Sequence, residues 1–140
     1  MSNKIEVVVF KQEHLEKIKV KKEYDPGEVP KTVMNSAFTF MRGDTVVAIF
    51  GGFLFVPGVI HFWGLTSDEA RRTPLDFHKT VLKVLRWYEQ HEKPRRIQID
   101  VRANYGEGCK WAESIGFKRE GLMKSWGTDG GDFYLYGKAC

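Results

Sequence analysis

Apolar and polar positions change period several times along the chain, and each change marks an element. Ile5–Phe10 opens with a run of β-formers, Ile-Glu-Val-Val-Val-Phe. His14–Val20 sets Leu15 and Ile18 three apart, as on one face of a short helix. Lys21–Thr32 holds Lys21, Lys22, Asp25, Pro26, Gly27 and Pro30 and reads as a polar loop. Ser36–Arg42 alternates apolar and polar, Gly43-Asp44 marks a turn, and Thr45–Phe55 resumes as strand, the pattern of a hairpin. Gly51-Gly52 inside the second strand predicts a bulge or a close approach by other atoms. Val59–Leu65 is the next strand. Ala48–Leu65 approaches membrane-spanning length, but Gly51, Gly52, Pro57, Gly58 and His61 interrupt it. The turn at Val56-Pro57-Gly58-Val59 splits it into two strands of ordinary length, so a buried hairpin is predicted rather than a span.

The second half switches to helical periods. Phe77, Val81, Val84 and Tyr88 recur at i, i+4, i+7 and i+11, with Leu82 and Leu85 widening the stripe and Lys79, Lys83, Arg86 and Gln90 opposite. Thr73 is placed to cap this helix, with Pro74 first inside it and Asp76 three after the cap, as in a capping box. Glu92-Lys93-Pro94 ends it. Ile97–Val101 alternates as a strand. Asn104 is predicted to cap a second helix, with Glu107 three residues on and Gly108, Trp111, Ala112 and Ile115 as its inner face. Gly116 supplies a left-handed stop, against which Phe117 packs back. Phe117–Trp126 follows as strand, Gly127–Asp132 as a polar turn, and Phe133–Gly137 as the closing strand. The predicted order is β-α-β-β-β-α-β-α-β-β, without internal repeat.

Composition narrows the class. The 140 residues are 42% hydrophobic and 29% charged, which suits one domain over 1–140 with one core and excludes a disordered chain. The net charge of +4 favours an anionic ligand only weakly. Two cysteines, Cys109 and Cys140, make no disulfide framework, and no secretory leader is read, so the expected setting is cytoplasmic. No Cys/His spacing predicts a metal site. Lys17, Lys19, Lys21 and Lys22 beside Tyr24 read as a solvated run, since no nucleic-acid-binding motif accompanies them.

The element order, together with Asn104, the helix ending in Glu113-Ser114-Ile115-Gly116-Phe117, then Glu120-Gly121-Leu122, Asp129-Gly130 and the aromatic strand Phe133–Tyr136, resembles the GNAT acetyltransferase superfamily. The resemblance implies an α+β fold with a central, mostly antiparallel mixed sheet flanked by helices. It also implies acyl transfer from acetyl-CoA to a small-molecule or protein amine. The family's phosphate loop, Arg/Gln-x-x-Gly-x-Gly/Ala, falls on Arg71–Asp76. Arg71 matches, whereas Pro74 stands at the first glycine without an N–H and Asp76 puts a carboxylate at the second. The resemblance places the cofactor on Leu65, Thr66, Arg71, Arg72, Thr73 and Asn104. It places the polarising backbone near Trp63-Gly64-Leu65. The tyrosine general acid that many members carry aligns with Ala112, leaving Tyr105 as the substitute.

Each candidate has a plainer reading. His61, a possible general base, also reads as a satisfied core histidine; Asp68 and Glu69 read as loop residues. Arg71 and Arg72 divide evenly between an anion clamp and a solvated pair. Cys109 reads as packing, and Trp63, Trp87, Trp111 and Trp126 as core or rim. Pro74, Asp76 and Ala112 depart in one direction, towards a GNAT-fold protein that binds a protein partner without catalysis. Thr66-Ser67-Asp68 is similar to small phage-encoded GNAT-like proteins, some of them in the virion.

Overall fold

The computed structural model describes residues 4–20 and 36–140; the polar loop with Lys21, Lys22 and Tyr24 lies outside the described residues. Its elements are β1 (Glu6–Val9), α1 (Gln12–Lys17), β2 (Phe38–Arg42), β3 (Thr45–Val56), β4 (Val59–Thr66), α2 (Pro74–Glu92), β5 (Arg96–Arg102), α3 (Gly106–Ser114), β6 (Lys118–Met123) and β7 (Phe133–Ala139). A short 3-10 turn over Asp68–Arg71 joins β4 to α2. The predicted order holds, with boundaries moved by one to three residues.

Seven strands form one sheet in the order β1-β2-β3-β4-β5-β7-β6. Every pairing is antiparallel except β4 with β5. That parallel ladder covers only Val59–His61 against Arg96–Gln98. β4 stays paired with β3 as far as Thr66, so beyond His61 it parts from β5 and the sheet opens as a V.

Alternation along β4 sends its side chains to two layers. Ile60 and Phe62 join Phe40, Phe50, Val81, Leu85, Tyr88 and Ile97 under α2 and α3, on what we term the front face. Trp63 and Leu65 join Ala37, Val46 and Ile49 at the back, where Leu15 of α1 and Ile18 just after it pack. Each fully buried aliphatic in the α2 stripe contributes about 1.5–3 kcal/mol, and Val81, Val84 and Leu85 are all buried.

Gly51-Gly52 is a close approach: a Cβ at Gly51 would lie 2.7 Å from the Trp63 indole, and one at Gly52 2.8 Å from Ile60. The Gly52 N–H donates to the Tyr88 hydroxyl at 2.9 Å, and that hydroxyl donates to the Ser36 carbonyl at 2.5 Å. The register shifts of β3 fall elsewhere, at Val47 against β2 and between Leu54 and Val56 against β4. Gly116 sits at φ +102 and closes α3 as predicted, with the Phe117 N–H on the Ala112 carbonyl.

Both helix starts depart from the predicted caps. Asn104 is exposed and does not cap α3; Tyr105 is the N-cap, without a side-chain capping bond. Thr73 is the N-cap of α2, yet its hydroxyl accepts from Arg42 Nη2 instead of its own helix. Asp76 closes no capping box: its Oδ2 accepts the Ile5 N–H at 2.8 Å, tying β1 to α2. Long-range partners outcompete the local ones here, and a local motif carries no trace of them. Among the described residues no helix is long and apolar enough to cross a membrane. Cys109 is buried and Cys140 exposed, both free.

Candidate functional site

The V between β4 and β5 holds a cavity of about 560 Å³. Its front wall is aromatic. Phe50 stacks on Phe62 at 5.4 Å between centroids, and Trp111 of α3 stacks on Phe77 of α2 at 6.3 Å. Gly64 borders it without a side chain because the Phe50 ring occupies the space; a Cβ there would meet that ring at 2.3 Å. The indole N–H groups of Trp63 and Trp111, both in the wall, are buried without a hydrogen-bond partner among the described residues. Such orphaned donors are rare in folded proteins, and these two are closed off from the cavity space itself.

The predicted site residues divide. Thr66, Arg71 and Tyr105 line the cavity, and Tyr105 is the one tyrosine among the described lining residues. Leu65 turns its side chain to the back layer. Arg72, Thr73 and Asn104 do not line the cavity.

At the mouth, Arg71 Nη2 meets Glu107 Oε2 of α3 at 2.5 Å, joining the two walls. Arg72 donates to Glu69 Oε2 at 3.1 Å, and Arg42 donates to the same oxygen at 3.1 Å. Arg42 also reaches the Glu69 carbonyl and the Thr73 hydroxyl, so it holds the corner between β4 and α2. Sequence reasoning missed Arg42 and Glu107 as partners of this corner. Arg42 ends a strand 27 residues before Glu69, and Glu107 looked like a capping residue.

His61 lies outside the cavity but one residue from it. Its Nε2 is 3.6 Å from Asp100 Oδ1, and Asp100 forms part of the cavity wall. Gln98 Nε2 contacts the His61 Nδ1 edge at 3.3 Å. Asp100 Oδ2 accepts the Trp126 indole N–H at 2.6 Å. Burial pushes the Asp100 carboxyl up, but the contacts from His61 and Trp126 together outweigh it and hold the group below the usual carboxylate range. Asp100 and Trp126 were not singled out as a pair, because they lie 26 residues apart on different elements.

Among the described residues no group of three His, Cys, Asp or Glu side chains is placed to hold a metal. An acyl-CoA fits this cleft in part. The apolar walls and the bare backbone at Gly64 suit a narrow amide-bearing arm. The phosphate end is less suited, since Pro74 gives no N–H and Asp76 is committed to Ile5.

Neither the family models nor the curated proteins contain a match to this chain. Solved structures do match. The Ard1 protein from Thermoplasma volcanium superposes with a TM-score of 0.76 at 12% identity, covering 96% of this chain and 97% of that one. A GNAT-family acetyltransferase from Bacillus anthracis gives 0.64 at 16% identity, covering 77% and 69%. The acetyltransferase RimL, solved in complex with coenzyme A, gives 0.63 at 14% identity, covering 74% of this chain and 60% of that one. The splayed mixed sheet with its helices is therefore the GNAT acetyltransferase fold. That is the class the structure defines; the likeness is one of architecture.

Proposed function

We propose that this protein is an N-acyltransferase that moves an acyl group from an acyl-CoA to an amine. The observation that carries the reading is the cavity in the β4–β5 V, with Thr66, Arg71, Asp100 and Tyr105 in its lining. Arg71, Thr66 and the backbone at Gly64–Leu65 would hold the thioester donor, which supplies an activated acyl carbon. The amine enters from the back face, past Asp100. Asp100, the carboxylate in the cavity wall, takes the proton the amine gives up as the C–N bond forms, and His61, whose Nε2 is 3.6 Å away, orients it. As the C–S bond breaks, Tyr105 supplies a proton to the leaving sulfur from the cavity wall. In chemical terms, the back face keeps a base ready while the front face excludes water.

A second reading has its own support. Arg71 and Arg72 are both engaged by glutamates and Pro74 removes a donor from the loop, which favours a GNAT-fold module that binds a protein without transferring anything.

Thermal unfolding with and without acetyl-CoA separates the two. Ligand at 100 times its Kd stabilises a fold by about 2.7 kcal/mol. The acyltransferase reading expects a rise in Tm that Arg71→Ala with Arg72→Ala removes. No shift at millimolar acetyl-CoA overturns it.

A further inference from the structure

Asp100 brings a carboxylate into the wall of the cavity. Other acids along this face of β5 have arginine partners: Glu120 pairs with Arg96 at 2.6 Å, and Asp129 with Arg102 at 3.0 Å. Asp100 lies between those two arginines in sequence, and its side chain is only 19% exposed. Among the described residues it has no arginine or lysine partner; its oxygens contact His61 and the Trp126 N–H. His61 and the Trp126 N–H steady the carboxylate without placing a fixed positive charge on it, and an ammonium would supply one. The arginines that could supply one are already committed to other carboxylates.

The surroundings are aromatic. His61 packs against Phe53 at 5.4 Å and Phe55 at 6.5 Å, and Phe55 is 57% exposed. Trp126 is 54% exposed while its N–H is held by Asp100. Trp63 and Asp100 both line the cavity. Ring faces attract cations, and their bodies take apolar groups.

We propose that Asp100, with the rings of Trp63 and Trp126, forms a binding site for an organic cation: a primary ammonium on an apolar or aromatic body that carries no acidic group. It deepens the acyltransferase reading by naming the acceptor class, and rests on that reading only for the word acceptor. The ammonium donates to Asp100 and its body lies on the rings. An acidic group on the same molecule would face Asp100 and is rejected.

The test needs no acyl donor. 2-Phenylethylamine, 2-phenylethanol and 3-phenylpropionate are titrated into the full chain, followed by the Trp126 indole N–H resonance. Losing a charge-assisted hydrogen bond weakens binding by about tenfold or more. The amine is therefore expected to bind at least that much tighter than the alcohol, with the acid weakest, and Asp100→Asn is expected to erase the amine's advantage. Equal binding of amine and alcohol overturns the proposal, and this ligand comparison stands even where Asp100→Asn does not fold. Amine binding without an acetyl-CoA thermal shift sinks the acyltransferase reading and leaves this site; an acetyl-CoA shift without amine preference does the reverse.

Discussion

Arg71 and Glu107 meet at 2.5 Å across the cavity mouth, one from the turn before α2 and the other from the first turn of α3. The pair spans 36 residues of sequence and joins the walls that a ligand would have to pass between. The side chains are 46% and 65% exposed, so water screens the contact. A phosphate entering this corner competes with Glu107 for Arg71. Replacing Glu107→Gln should therefore tighten acetyl-CoA binding by about 2- to 5-fold, the range that exposed ion pairs of about 0.5–1 kcal/mol allow. Isothermal titration of both proteins at low salt measures it. Unchanged or weaker binding in a folded variant would mean that Arg71 does not meet the ligand.

Gly64 is held small by a neighbour. Its missing Cβ leaves room for the Phe50 ring, which stacks on Phe62 and packs on Phe40 and Phe77. Gly64→Ala should lower stability by about 1–3 kcal/mol, as overpacking does. Urea denaturation reads the change. A stability within 0.5 kcal/mol of the parent, roughly the scatter of ordinary surface substitutions, would show that Phe50 can move aside.

These two cases show how far the sequence could be read. The order of elements was legible because it follows from periods of apolar residues and from turn residues, which are local. Gly116 as a helix stop and Gly58 as a turn residue were legible for the same reason, and both adopt positive φ. The caps failed because Thr73 and Asp76 were read against their own helix. Arg42 and the Ile5 N–H, distant in sequence, took those oxygens instead. The cavity itself was only half legible. Arg71 and Tyr105 could be placed by resemblance, but the Asp100–Trp126 contact depends on how β5 and the β6–β7 turn meet in space.

Acid should destabilise the protein in two stages. Burial holds the His14 imidazole below its ordinary range, with Glu13 opposing and Lys11 and Lys17 assisting. Unfolded, His14 titrates near about 6.5. The unfolded chain then binds more protons than the folded one as pH falls through that value, so the contribution of neutral His14 is present above it and declines below. Asp100, also held below its usual range, adds a second loss as pH drops below about 4, the unfolded aspartate value. Chemical denaturation at pH 7.5, 5.5 and 3.5 measures both stages. His14→Gln should flatten the first interval and Asp100→Asn the second. If neither variant changes its interval, these groups do not govern the acid response.

The last prediction separates two residues that a sequence comparison would treat alike. Pro74 and Asp76 both depart from the glycines of the family's phosphate loop, yet the structure gives them different work. Asp76 accepts the Ile5 N–H at 2.8 Å, and Ile5 is 8% exposed. Asp76→Ala leaves that buried amide unpaired, which costs about 1–3 kcal/mol. Asp76→Asn keeps an acceptor oxygen and should lose much less. Pro74 sits at the first position of α2, where its ring suits the helix and its N–H would in any case lack an intrahelical partner. Pro74→Gly should therefore cost about 1 kcal/mol or less in stability, while adding a backbone donor at the cavity rim that Pro74 lines. If acetyl-CoA reaches this corner, Pro74→Gly tightens its binding and Asp76→Ala changes mainly the Tm. Calorimetry on the two single variants decides: weaker cofactor binding in folded Pro74→Gly means that the anion, if bound, sits elsewhere than at the start of α2.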